Sequence, residues 1–434
     1  MHPEARTLRI PTAIRLYRLA GRALTPFARA MLRRRLAAGK EHPVRLEEKL
    51  GRASAKRPAG SLVWVHAASV GETLSILPLI ERLTHAGHSA LLTTGTVTSA
   101  ELAATRLPQG AVHQFAPLDL PPVVRRFLDH WRPDLAVFCE SELWPNLMLA
   151  CRERGIPFGI VNGRMSERSA RRWKRFGALS RTLLSGVSFC LAQSREDCAR
   201  YESLGAPASF PGNLKFDVAP LPVDGEALFA LERAIGRRPI FLAASTHPGE
   251  EELALEAAAR LREQEPELLT IIVPRHPARG AEIEALCRAG GIRPAVRSLN
   301  EMPDDFSPLY LADTLGELGL FYSLATVAFI GGSLVPIGGH NPIEPAKLST
   351  PILHGPEVAN FRDIYAVLDR EDAAVGISDP ISLADAVARL IADPARREAL
   401  ARHAARIARE NEGALDATLR LLQDWLPVCE ENNV

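Results

Sequence analysis

The sequence predicts an α/β protein made of two Rossmann-like, doubly wound domains that face a central cleft, preceded by a basic amphipathic helix. Three observations predict it. From Ser61 onward short β-rich runs alternate with helical stretches. A proline-rich, weakly patterned stretch, Val218 to Asp224 (VAPLPVD), interrupts the alternation, which restarts at Ile240. The polar motifs fall just after strand runs, where open parallel sheets bind ligands. Together these divide the 434 residues into a basic amphipathic segment (1–44), a first Rossmann-like domain (45–217), a linker (218–224), a second Rossmann-like domain (225–410) and a C-terminal helix and tail (411–434).

The first segment carries ten Lys or Arg and no acid between Arg6 and Lys40. Arg15, Arg18, Arg22, Arg29 and Arg33 share one helical stripe, and Ile10, Ile14, Tyr17, Leu24, Ala28 and Met31 form another. A helix of this kind either lies in a membrane interface, with its arginines near lipid phosphates, or packs on its own domain. Pro11, Pro26 and the arginines interrupt the run of about twenty apolar residues that spanning requires.

In the first domain the strand candidates are LVWVH after Ser61, then Ala90 to Thr94, Leu135 to Cys139, Phe158 to Val161 and Phe189 to Ala192. HAASVGETLS follows the first and sets Ser69, Gly71 and Glu72 at a strand-to-helix junction, the helix running to Leu83. Glu72 is either a helix-stabilising acid at the positive end of the dipole or a general base for an incoming hydroxyl. ESELWPN brings Glu140 and Glu142 around a turn, with Ser141 as a possible cap and a helix starting at Pro145. NGRMSERS supplies Arg164 and Arg168 for an anionic ligand, and GNLKFD places Lys215 just before the linker.

The second domain repeats the pattern from IFLAAS at Ile240, with further strands at Leu268 to Val273, Leu324 to Ile330 and Pro351 to Leu353. His247 and Gly249 precede an acid-rich helix start, Arg275 and His276 follow the next strand, and DTLGEL spans Asp313 to Leu318. The densest signal is Gly331 to Pro345, GGSLVPIGGHNPIEP. Four glycines after a strand, then a helix opening at Asn341 with Pro342 in its first position, predict a loop whose backbone N–H groups receive an anion. Glu344 in the first turn either caps the helix or holds a ribose.

Composition excludes several classes. At 47% hydrophobic, 24% charged and net charge +1, nothing marks a nucleic-acid binder, a disordered chain or a multi-span membrane protein. The six cysteines (Cys139, Cys151, Cys190, Cys198, Cys287, Cys429) lack CxxC spacing and read as reduced core thiols of a cytoplasmic protein. No cleavable signal peptide is expected. His247, His276, His340 and His354 are scattered over separate loops without the spacing of a helix-borne zinc site, so no metal is expected.

With these residues in place, the chain resembles the Kdo (3-deoxy-D-manno-octulosonic acid) transferases. HAASVGE, ESELWPN, NGRMSERS, GNLKFD, STHPGEE, VPRHP, DTLGEL and GGSLVPIGGHNPIEP occur in the family's order from about Arg45 onward. The resemblance implies a GT-B fold, CMP-Kdo as donor, a lipid A precursor of the lipid IVA type as acceptor, inversion at the anomeric carbon, and no cofactor or metal. It implies Glu72 as general base, with Glu140 and Lys215 stabilising the reacting centre. CMP-binding positions would be Pro274, Arg275, Leu315, Gly316, Glu317, Asn341, Pro342, Ile343 and Glu344, while Ser69, Gly71 and Arg164 would touch acceptor or Kdo. It also implies attachment to the anionic cytoplasmic face of the bacterial inner membrane. The resemblance is weakest before Arg45, and Glu47 in RLEEKLG stands where the family usually has Gly. Architecture alone leaves room for another nucleotide-sugar transferase or an epimerase, and a catalytically silent nucleotide-binding protein is the reading from a different class.

Overall fold

Strands that are buried on both faces must be apolar throughout, and the runs LVWVH and LAVFC bury every residue. The computed structural model describes residues 11–427; Ile10 of the predicted stripe and Cys429 lie outside the described residues. The chain divides into two compact units, Met1–Val218 with Asn411–Val434, and Ala219–Glu410.

The first unit holds strands β1 (Leu62–His66), β2 (Ser89–Thr94), β3 (Ala111–Phe115), β4 (Leu135–Cys139), β5 (Phe158–Gly163), β6 (Phe189–Ala192) and β7 (Ala208–Ser209). All pair in parallel, in the order β3-β2-β1-β4-β5-β6-β7. The second holds β8 (Ile240–Thr246), β9 (Leu269–Pro274), β10 (Ala295–Val296), β11 (Leu309–Leu311), β12 (Val327–Ile330), β13 (Ile352–His354) and β14 (Val375–Gly376). They are again parallel, in the order β10-β11-β9-β8-β12-β13-β14. Each sheet therefore reverses its strand order once, between β1 and β4 and between β8 and β12. Crevices at the carboxyl ends of such pairs are where open sheets bind ligands.

Some boundaries differ from the sequence reading. Leu324 closes the helix Leu318–Leu324, and the strand begins only at Val327. The strand β3, which the sequence analysis does not pick out, starts with three half-exposed residues and so lacks an unbroken apolar signal. After the glycine loop the helix is a single short turn, Ile343–Lys347, with Pro342 as its N-cap rather than its first helical residue. Asn341 supplies the cap instead, its Oδ1 accepting from the Ile343 N–H at 3.1 Å.

The N-terminal segment forms one helix, Thr12–Ala37. Its apolar residues do not make a single stripe. Ile14, Gly21, Ala28 and Leu32 face inward and are buried, Ile14 with Trp131 and Leu147 in one core and Ala28 and Leu32 with Leu50 in another. Gly21 permits this approach, since a Cβ there would stand 2.9 Å from Pro121 Cδ. Tyr17, Leu24 and Met31 of the predicted stripe are instead exposed, together with Leu16, Leu19 (63% exposed) and Phe27 (67% exposed). At about 100° per residue Leu16, Leu19 and Phe27 gather opposite the buried face, while Met31, Leu24 and Tyr17 lie between the two, and the Tyr17 hydroxyl donates to Asp119 Oδ2 at 2.9 Å. Among the described residues no helix is long and apolar enough to cross a membrane.

The C-terminal helix Ala414–Leu422 returns to the first unit. Ala414 and Leu422 are buried with Val63, Leu79 and Leu214, and Asp217 caps the helix by accepting from the Gly413 N–H (2.6 Å) and the Leu415 N–H (2.8 Å).

Candidate active site

In the first unit the functional candidates converge where the strand order reverses. Ser69 caps the helix Val70–His85 by accepting from the Glu72 N–H at 3.3 Å. The Glu72 carboxylate reaches back, taking the Ala68 N–H at 2.7 Å on one oxygen and the Ser69 hydroxyl at 2.9 Å on the other. Helix capping and a poised carboxylate are thus one arrangement. Burial, then repulsion from Glu140, push the Glu72 carboxyl up to about 7, against the pull of the Ala68 N–H; Glu142 adds to the rise and the Ser69 hydrogen bond offsets it. A Cβ on Gly71 would meet nothing within 4 Å, so the space beside Glu72 is open.

Glu140 follows β4, next to β1, and is held at φ 53°, a left-handed backbone that a non-glycine residue adopts at a cost. Its own N–H donates to Val161 O at 3.0 Å and its carbonyl accepts from the buried Tyr201 hydroxyl at 3.1 Å, which together hold the turn. Lys215 Nζ lies 2.8 Å from Glu140 Oε1, both side chains nearly buried. The lysine's own turn is fixed by Asn162 and Asn213, whose Oδ1 atoms accept from the Leu214 and Lys215 N–H groups at 3.1 and 3.0 Å. Arg164 sits after β5, its carbonyl receiving the Ser141 and Tyr201 hydroxyls at 2.6 and 3.2 Å. Sequence reading missed His66: its Nε2 lies 3.5 Å from Glu142 Oε2, which also accepts from the Trp144 indole at 2.6 Å. Burial pushes the Glu142 carboxyl up, but the His66 contact, His66 charge and Trp144 outweigh it and hold it below the usual range. Trp144 therefore orients a carboxylate.

In the second unit the glycine loop is organised differently from the expectation. Glu250, with no exposed surface, accepts from the backbone N–H groups of Gly332 (2.7 Å), Ser333 (3.0 Å) and Leu334 (2.9 Å), and from that of His247 (3.0 Å). The anion at the first half of this loop is the protein's own carboxylate. The sequence signal was the acid-rich start after Gly249, where Glu252 takes the capping position and leaves Glu250 to turn inward.

The later half of the loop lines the carboxyl ends of β8, β9 and β12. His340 Nε2 stands 2.9 Å from His247 Nε2, the rings stacked at 11°, and His276 meets His247 edge-on. Burial, then the Arg275 guanidinium and the two neighbouring histidines, push His340 down to about 3. Arg275 follows Pro274 at the end of β9, its N–H donating to Thr246 O at 3.0 Å, with its side chain exposed. Glu344 is within 3.4 Å of Asn341 Nδ2, and burial pushes its carboxyl up to about 7, with Asn341 and Arg275 opposing. Ile343 and Pro342 are buried, so they support this corner by packing and backbone. Leu315 is exposed and Gly316 has φ 87° in the loop after β11. Glu317 is taken by Arg297 (2.6 and 3.1 Å), whose guanidinium holds the carboxyl below the usual range. Among the described residues no group of three or more His, Cys, Asp or Glu side chains has the geometry to hold a metal ion.

Residues 44–218 match the family model described as 3-deoxy-D-manno-octulosonic-acid transferase (kdotransferase). The 3-deoxy-D-manno-octulosonic acid transferase of Bordetella pertussis is 37% identical over 424 residues, covering 95% of this chain and 99% of that protein. The chain belongs to the Kdo transferase family. The Kdo transferase of Haemophilus influenzae is likewise 37% identical over 389 residues, covering 87% of this chain and 89% of its own. Among solved structures, the UDP-GlcNAc 2-epimerase of Neisseria meningitidis bound to UDP-GlcNAc aligns with a TM-score of 0.55 at 15% identity, covering 83% of this chain and 100% of that one. That likeness concerns the fold, the GT-B pairing of two Rossmann-like units. This Kdo transferase is accordingly a glycosyltransferase, and the two polar clusters above, one per unit, are its candidate catalytic and donor-binding groups.

Proposed function

We propose that the protein moves Kdo from CMP-Kdo to a hydroxyl of a lipid A precursor of the lipid IVA type, with inversion, as a step of lipopolysaccharide core assembly. The observation that carries the mechanism is the Glu72 carboxyl, pushed up to about 7 beside the Glu140–Lys215 ion pair and open space at Gly71. A group that titrates near neutrality is well matched to take a proton. Glu72 removes the proton of the acceptor hydroxyl, whose oxygen attacks the anomeric carbon from the face opposite CMP. The bond from that carbon to the phosphate oxygen breaks, and CMP leaves with the electron pair. Lys215, fixed by Glu140, offsets negative charge on the Kdo carboxylate or the departing phosphate. Arg275 meets phosphate and Glu344 holds the ribose, while Ser69 and Arg164 contact acceptor or sugar. No metal takes part in this scheme; basic groups carry the charge.

The N-terminal helix supports a place on the cytoplasmic face of the inner membrane. Leu16, Leu19, Leu24, Phe27 and Met31 point outward, flanked by arginines, as an in-plane interfacial helix requires. The acceptor's acyl chains sit in that same bilayer. Incubating purified protein with CMP-Kdo and tetraacylated lipid A precursor, and following the product by mass spectrometry, tests the reading. A mass gain of Kdo is expected, with the gain abolished or greatly slowed in Glu72→Gln. No product from the unaltered protein defeats the transferase assignment, and undiminished turnover in the variant defeats the base.

A further inference from the structure

Away from the catalytic candidates, the N-terminal helix and the helices Pro121–Trp131 and Pro145–Glu153 enclose a pocket of about 530 Å³. It is lined by Arg18, Arg22, Arg125 and Arg154, with Glu153 and Asn146. The cations are only partly neutralised. Arg18 pairs with Glu153 (Nη2 to Oε2, 3.2 Å), while Arg154 and Arg125 share Asp129 at 2.7 and 3.6 Å. Four guanidiniums thus face two carboxylates, and Arg22, exposed, stands at the pocket wall. The wall is held in shape by the close approach of Gly21 to Pro121.

The geometry points to a binding site for the phosphate headgroup of an anionic phospholipid, one lipid per protein, distinct from the acceptor. Guanidiniums that line one concave site match phosphate oxygens better than scattered lysines do. What commits the site to a lipid rather than a free phosphate is the helix it is built on. Arg22 is only about 60° around the helix from Leu19, which begins the outward apolar face continued by Phe27. With that face in the acyl region, Arg22 and the pocket mouth lie at headgroup level, and a lipid in the pocket leaves its chains beside Leu19. This inference rests on the proposed membrane attachment and adds to it a stoichiometric site where a diffuse basic surface would serve for attachment alone.

The test uses full-length protein and vesicles of phosphatidylcholine with or without about 30 mol% phosphatidylglycerol, read by sedimentation. Arg22→Gln/Arg125→Gln removes two charges from the pocket, and Arg15→Gln/Arg33→Gln removes two from the same helix outside it. Partition onto the phosphatidylglycerol vesicles is expected to fall roughly tenfold further in the pocket variant than in the control variant. Soluble dihexanoyl-phosphatidylglycerol is expected to compete with the vesicles for the protein and to saturate at one per chain, with inorganic phosphate at matched ionic strength without effect. Thermal midpoints of both variants check folding, with Arg22→Gln alone as the fallback. Equal losses in the two variants overturn the pocket and leave the membrane reading standing. Competition by inorganic phosphate as strong as by the lipid overturns the lipid assignment, and an unaltered protein that fails to sediment overturns the membrane reading beneath it.

Discussion

A carboxyl that titrates at about 7 is half ionised at neutral pH, and Glu72 owes that position to burial and to Glu140. Only the ionised form accepts a proton, so kcat/KM is expected to rise with pH through about 7 and to fall roughly tenfold per pH unit below it. Glu72→Gln should lose that limb and about 10² to 10⁴ in rate, with little loss of stability, because glutamine serves the same capping position. Measuring pH profiles of both proteins decides it; a wild-type profile flat from pH 5 to 8 would count against the base. Lys215 poses a different question, since its partner Glu140 is nearly buried. Lys215→Met strands that carboxylate and is expected to cost about 3–5 kcal/mol in urea unfolding, whereas Lys215→Met with Glu140→Gln should recover most of it yet remain inactive. Recovery of activity in the double variant would reduce the pair to a structural role. Glu72 and Glu140 were legible in the sequence because each is charged and comes after an apolar strand run, and Lys215 because it stands just before the linker. His66 was not, because its partner Glu142 is reached only across two neighbouring strands.

At the scale of elements, the glycine loop after β12 is held by Glu250, which occupies three consecutive N–H groups. Glu250→Ala orphans them in a buried setting, at about 1–3 kcal/mol each before relaxation. The second unit should melt earlier and KM for CMP-Kdo should rise, with Glu250→Gln intermediate; differential scanning calorimetry and donor titration check both, and an unchanged KM would separate the loop from donor binding. The strand and the glycines were readable as a pattern, but the N–H acceptor lies 82 residues away in sequence. The N-terminal helix shows the same limit. Its charges and amphipathic spacing were readable, whereas the division into inward Ile14, Gly21, Ala28 and Leu32 and outward Leu19 and Phe27 depends on which face meets Trp131 and Leu50. Replacing Leu19 and Phe27 with Gln should lower vesicle sedimentation without moving the thermal midpoint; a large drop in midpoint would show that these side chains serve the fold.

Across the whole molecule, the first unit is closed by chain from both ends. Asp217 caps the helix Ala414–Leu422, and Leu422 is buried against the same core as β1. Ending the chain after Glu410 is therefore expected to destabilise the first unit by several kcal/mol, since each buried leucine lost is worth about 1.5–3 kcal/mol. Calorimetry would show the first unit's transition lowered, and an unchanged thermogram would contradict the packing argument. The sequence by itself determined the α/β class, the two-unit division and the family, because strands buried on both faces have to be continuous apolar runs and the polar motifs must follow them. Tertiary structure alone decided which side chain fills the glycine loop, which face of the first helix turns inward, and which two carboxyls, Glu72 and Glu344, are pushed up to about 7. Each of those depends on burial and on partners that folding brings from distant parts of the chain, and local spacing carries no record of them.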